Sequence, residues 1–119
     1  MTDLIACLST GKGTWANLKD LISGQKWEKV FLITNDFGKE KFAPDKNTEL
    51  IVVDAMKQPM NELIDTIQKA LKGKIKDTEV AVNLISGSGK EHMAILAAIL
   101  KSGLSFRLVA LTTDGVKEI

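Results

Sequence analysis

The chain has 119 residues, enough for one domain with a proper core, and its makeup of 45% hydrophobic and 26% charged residues is that of an ordinary globular protein. A net charge of +1 gives no electrostatic case for long nucleic acid or an anionic membrane. Arg107 is the one arginine among sixteen basic residues, which disfavours arginine-based base readout but leaves lysine to bind phosphate as a point charge.

The first apolar run, "LIACLS" (4–9), reads as a buried strand ended by "TGKG". Trp15, Leu18, Leu21 and Ile22 follow at helical spacing, and Gly24 stops that helix. "KVFLIT" (29–34) is a second buried strand, and "NDFGKEKFAPDKNT" is a polar connection with room for about one helical turn. "ELIVVD" (49–54) is a third strand. Pro59 suits the first turn of the next helix, whose buried stripe is Met60, Leu63, Ile64, Ile67 and Leu71 and which Gly73 ends. "EVAVNLI" (79–85) is a fourth strand. "EHMAILAAILKSG" is a helix apolar around most of its circumference, and "FRLVALT" (106–112) is a fifth strand.

Strands alternating with helices predict a doubly wound, mostly parallel α/β sheet with helices on both faces, in one domain over residues 1–119. Ligands in such sheets bind beyond the carboxyl ends of the strands, where the winding reverses. Two strand-end loops are rich in glycine and hydroxyls, "STGKGT" after the first strand and "SGSGKE" after the fourth. The order 3-2-1-4-5 makes these strands neighbours and lets both loops line one crevice. The alternative order 2-1-3-4-5 sets the first loop beside "DAMKQP", a poorer ligand site.

Glycines let the backbone approach a ligand, and successive exposed amides form an anion nest. Gly11 and Gly13 supply this in the first loop, Gly87 and Gly89 in the second, each with a helix N-terminus directly behind it. Ser9, Thr10, Thr14, Ser86 and Ser88 add hydroxyls, while Lys12 and Lys90 add charge. This is chemistry for phosphate. The blander reading is that Gly and Ser serve as turn and cap residues. The occurrence of two such loops, each with a lysine, at one switch point favours an anionic ligand.

Familiar nucleotide motifs fit poorly. A P-loop needs Gly where Leu84 stands and Ser or Thr where Glu91 stands. "GKGTWA" (11–16) matches a G-x-G-x-x-A dinucleotide fingerprint, with Asp36 at the end of the second strand, so a generic dinucleotide binder is an alternative. A non-catalytic interaction module is a third reading. Asp36, Asp54 and Asp114 lie at strand ends, but no metal motif joins them and no cofactor is expected. Cys7 is alone, so no internal disulfide forms, and its place in the first strand reads as apolar core. Trp15 and Trp27 read as packing, with Trp15 close enough to the first loop to stack on a base, and His92 reads as a first-turn or interface residue. No signal-peptide pattern and no membrane-length apolar segment are visible, so the sequence predicts a soluble, cytoplasmic protein.

The strand followed by "NLISGSGK" and "EHMAILAAIL" resembles the CARF family, the sensor domains of type III CRISPR systems. "CLSTGKGT" sits where that family carries its first ligand loop, and "VVDAMKQPMNELIDTIQKAL" resembles the segment before the second. The likeness covers nearly the whole chain. Glu91 stands where proline is common in the family, and Ser86, Gly87 and Ser88 approximate its threonine and glycine pattern. The resemblance implies a Rossmann-like fold, often of six strands, with the sixth here short or missing. It implies a homodimer that holds a cyclic oligoadenylate across its two-fold axis. It also places Asn83 among the ligand-binding residues. No room remains for an effector domain, and the only His precedes the only Arg, the reverse of a HEPN-type ribonuclease. Stand-alone relatives include metal-independent ring nucleases, in which a ribose 2′-hydroxyl attacks the adjacent phosphate. On that reading Lys90 stabilises the developing charge, and Ser9 or Thr10 orients the attack.

Overall fold

The computed structural model describes residues 2–9 and 12–119, with Lys12 described by its backbone alone. Five parallel strands and one antiparallel strand form a single sheet in the order β3-β2-β1-β4-β5-β6. The strands are β1 (Leu4–Leu8), β2 (Val30–Thr34), β3 (Thr48–Val52), β4 (Glu79–Asn83), β5 (Ser105–Thr112) and β6 (Gly115–Glu118). The helices are α1 (Trp15–Ser23), α2 (Asp36–Lys41), α3 (Met60–Leu71) and α4 (Gly89–Lys101). The doubly wound, Rossmann-like order expected from the two loops is the one observed.

Strand β1 shows why. It pairs in parallel with β2 on one side and β4 on the other, and all five of its residues are buried. Its side chains alternate between two cores, as the period of a strand requires. Ile5 and Cys7 join Phe31, Ile33, Leu63 and Ile95 under α3 and α4. Leu4, Ala6 and Leu8 join Leu18, Leu21, Trp27 and Leu32 under α1. A strand covered on both faces must be apolar throughout, and that is the origin of the unbroken run in the sequence.

Several boundaries differ from those read in the sequence, the third strand among them, which runs Thr48–Val52 rather than 49–54. The polar connection after β2 holds α2, which Asn35 caps by accepting the Gly38 N–H at 2.9 Å. Pro59 is the N-cap residue of α3 and lies just before its first turn. Strand β4 stops at Asn83, two residues early, because the Asn83 side chain takes over the local bonding. Its amide donates to the Val109 carbonyl at 2.9 Å, and its carbonyl accepts the Ile85 N–H at 3.2 Å. Helix α4 starts at Gly89 rather than 91, because Ser88 and Glu91 form a reciprocal capping box. After β5 a tight turn with Gly115 at φ +94 returns the chain as β6, antiparallel to β5, so the final strand is short but present.

One charge is buried at the edge away from the strand ends. Asp3 is 4% exposed, and burial, followed by the Glu28 and Asp77 carboxylates, holds its carboxyl above the usual range. Folding therefore favours the protonated form. The stability gained from this group is complete below the unfolded carboxylate value, about 3.9, and is lost as pH rises through the raised folded value. Asp3→Asn should accordingly make the protein more resistant to urea at pH 7, with the gain shrinking as pH falls through the raised folded value and absent below about pH 4. A variant less stable than wild type at pH 7 would show that the Asp3 charge is better compensated than its surroundings indicate.

Candidate functional site

The carboxyl ends of β1 to β4 open into a crevice of about 570 Å³, within the roughly 300–1,000 Å³ of small-ligand pockets. The β1 loop contributes Ser9 and the β4 loop contributes Gly87, Ser88, Lys90 and Glu91. The two loops meet: the Ser9 N–H donates to Ser86 Oγ at 3.1 Å across 77 residues of sequence. Asn35, after β2, and Asp54, Ala55 and Met56, after β3, complete the walls.

The β4 loop is shaped by close contacts beneath it. Gly87 has φ +106, and a Cβ there would stand 2.5 Å from Cys7 Sγ and 3.1 Å from His92 Nε2. His92 Nε2 lies 2.7 Å from the Ser86 carbonyl oxygen. A carbonyl only accepts, so this nitrogen carries the proton and fixes the ring's tautomer. Ser86 itself is 3% exposed and committed on both sides, its hydroxyl to Ser9 and its carbonyl to His92.

Glu91 is the residue that the sequence did not suggest. Its carboxylate is buried, yet it belongs to the crevice lining. Oε1 accepts from the Ser88 N–H at 2.8 Å and the Ser88 hydroxyl at 3.0 Å, and Oε2 accepts from Cys7 Sγ at 3.6 Å. Its place in the first turn of α4 adds the favourable field of the helix N-terminus. Burial, and then the neighbouring Glu91 charge, push the Cys7 thiol far above its usual range, so it remains a neutral S–H donor. The S-x-x-E spacing of a capping box is the signal that points to Glu91.

Because Ser88 Oγ accepts the Glu91 N–H, at 3.3 Å, the N–H groups of Gly89 and Lys90 are without partners among the described residues. Both sit in the first turn of α4, where orphan N–H groups face outward and favour an anion. The Lys90 ammonium donates to the Gln58 carbonyl, spanning the crevice to the loop after β3. An ammonium has three donors, so two remain for a ligand.

No family model matches the chain, and no curated protein matches it.

The remaining candidates are placed as follows. Asn83 is buried at the end of β4 with both ends of its amide bonded to protein. Gly89 is exposed at the first position of α4. Gly13 and Thr14 lie in a 3-10 turn at Lys12–Thr14 that leads into α1. Thr10, Gly11 and the Lys12 side chain lie outside the described residues. Trp15 is packing, as expected: its ring stands against Phe37 and Phe42, with centroids 5.9 and 6.0 Å away, and its Nε1 donates to the Ser9 carbonyl at 2.9 Å. That bond anchors the end of β1 and turns the indole away from stacking on a ligand. In the dinucleotide fingerprint the third small residue packs helix against strand. Here that residue, Ala16, is exposed, so it makes no such contact. Among the described residues no three His, Cys, Asp or Glu side chains converge as a metal site. Among the described residues no helix is long and apolar enough to cross a membrane.

Proposed function

We propose that the crevice binds a cyclic oligoadenylate, the messenger of type III CRISPR signalling, with one ring shared by two copies of the chain. The observation that carries this reading is the meeting of the β1 and β4 loops over the first turn of α4. There Lys90 lines the opening with its ammonium tied across it, and the unpartnered N–H groups of Gly89 and Lys90 belong to the same helix turn. The resemblance of both loops to the CARF pattern supplies the ligand class. The volume suits a nucleotide-sized share of a ring rather than the whole of it.

Helix α4 supports the two-fold arrangement. Glu91, Ala94, Ile95, Ala98 and Ile99 face the sheet. Its opposite face exposes Met93 (65%) and Leu100 (59%), with Ala97 half-buried between them and Leu96 on the flank partly packed against the core. Ile85, half-exposed just before the helix, and Leu108 on the same side of the sheet extend it. A self-complementary contact along this stripe would cover it and set two crevices around one axis.

The same cradle suits cleavage of the ring. A ribose 2′-hydroxyl gives up its proton to water and bonds the adjacent phosphorus as the P–O5′ bond breaks, leaving a 2′,3′-cyclic phosphate and a 5′-hydroxyl whose proton comes from water. Lys90 and the free N–H groups offset the charge building on the phosphoryl oxygens, and Ser9 orients the reacting groups. Thermal unfolding tests the ligand class. Cyclic tri-, tetra- or hexa-adenylate should raise the melting temperature, a ligand at a hundred times its Kd adding about 2.7 kcal/mol, while NAD and ATP shift it little. The reverse ranking would restore the dinucleotide reading.

A further inference from the structure

The crevice has a second wall, facing the phosphate cradle, that the two glycine-rich loops do not account for. Met56 is 97% exposed at its rim. Single exposed apolar residues are ordinary on protein surfaces. This one differs in being held on a braced turn. Gln58 and Lys57 donate their N–H groups to the Asp54 carbonyl at 2.8 and 3.2 Å, and Asp54 donates its own to Gln58 Oε1 at 3.0 Å. Gln58 Nε2 reaches Thr66 Oγ1 at 3.1 Å, and Lys90 ties the Gln58 carbonyl back to α4. An apolar side chain is thus presented to a crevice whose other described walls, Ala55 apart, are polar groups and glycine. Lys90 makes the connection directly: the residue proposed to hold phosphate also fixes the turn that carries Met56.

Asn35 stands on the same side. Its Oδ1 accepts one bond, from the Gly38 N–H, which leaves that oxygen a second lone pair. Its amide nitrogen has no partner among the described residues, so two N–H donors remain. A half-buried amide with a free donor and a free acceptor matches an edge presenting an acceptor beside a donor. Adenine offers that pair at N7 and the N6 amino group, whereas guanine places the O6 acceptor where the amino group would be. A thioether, for its part, packs well against an aromatic face.

We infer that Met56 and Asn35 form an adenine-binding wall, with Met56 against the face of the base and Asn35 on its N6 and N7 edge. This inference rests on the phosphate cradle proposed above. It adds the origin of base selectivity: the cradle holds any phosphate, and this wall selects adenine.

The probes are AMP, GMP and ribose 5-phosphate, added to intact protein carrying 13C-labelled methionine methyl groups and 15N-labelled amides. AMP should move the Met56 methyl signal upfield through the ring current and also shift the Gly89 and Lys90 amides. Ribose 5-phosphate should shift those amides and leave Met56 in place. The Met93 methyl, on the outer face of α4, should respond to neither. Asn35→Asp keeps an α2 cap acceptor but removes the amide donors. It should lower the affinity ratio of AMP to ribose 5-phosphate by roughly ten- to a hundredfold and abolish the preference for AMP over GMP. Measuring the ratio removes the effect of the added charge on phosphate. If AMP shifts the two amides while Met56 stays still, the base wall is wrong and the phosphate cradle stands. If neither AMP nor ribose 5-phosphate moves the amides, the cradle falls and the base wall falls with it.

Discussion

Lys90→Ala is expected to weaken cyclic oligoadenylate binding by ten- to a hundredfold. The ammonium is half-buried at the first turn of α4, has one donor on the Gln58 carbonyl, and keeps two for phosphate. A hydrogen bond to a charged group contributes about 1.5–3 kcal/mol, and each 1.4 kcal/mol is tenfold in affinity. Loss of a phosphate contact also flattens the salt dependence, by about 0.7 in the logarithmic slope for a single strand, and two copies per ring would double that. Single-turnover cleavage of labelled ring with protein in excess then separates two roles for the same residue. If Lys90 holds ground state and transition state alike, the rate at saturation stays near wild type. If it stabilises charge that develops during 2′-hydroxyl attack, the rate falls by about a hundredfold or more. Ser9→Ala should act in the same direction and less strongly. Intact rings after prolonged incubation with wild type would leave binding as the function of the crevice.

Gly87→Ala should cost about 2–5 kcal/mol of stability and take binding with it. Two effects add at this position. A φ of +106 strains any L side chain, and the new Cβ would press on Cys7 Sγ at 2.5 Å from within the sheet. Gly89→Ala and Gly13→Ala are the controls, since an added Cβ at either meets nothing within 4 Å and neither has positive φ. They should leave the urea midpoint nearly unchanged. Cys7→Ala combined with Gly87→Ala should recover part of the loss, because it removes the sulfur and leaves the backbone strain. Full additivity of the two changes would mean that the contact beneath the loop is not what confines residue 87 to glycine.

The sheet order was legible because it follows from chemistry at two places. Apolar runs such as 4–9 and 29–34 mark strands covered on both faces. The two glycine- and hydroxyl-rich loops bring β1 and β4 together at the switch point. The boundaries at Asn83 and Ser88 were less legible, for one reason. Each is set by a side chain bonding backbone, whereas composition alone marks both segments as strand or ligand loop. Glu91 was harder still. Its cap spacing is local, but its burial depends on Cys7, 84 residues away in sequence, which a linear pattern does not display. Asn35 and Met56 carry no sequence signal as a wall, because they are single residues of unlike type on two loops. The sheet order alone suggests that the β3 loop stands apart from the β1 and β4 loops. In the fold the braced turn at Asp54–Gln58 reaches across to Lys90 and closes the crevice from that side.

Titration calorimetry of cyclic tetra-adenylate into the intact protein, repeated with the three- and six-membered rings, tests the central claim most directly. The crevice, its free N–H groups and the outer stripe of α4 together predict saturation at one ring for every two chains. Affinity should fall as salt rises, and light scattering of the same sample should show a dimer. Absence of heat with all three rings, or saturation at one ring per chain in a monomer, would contradict it.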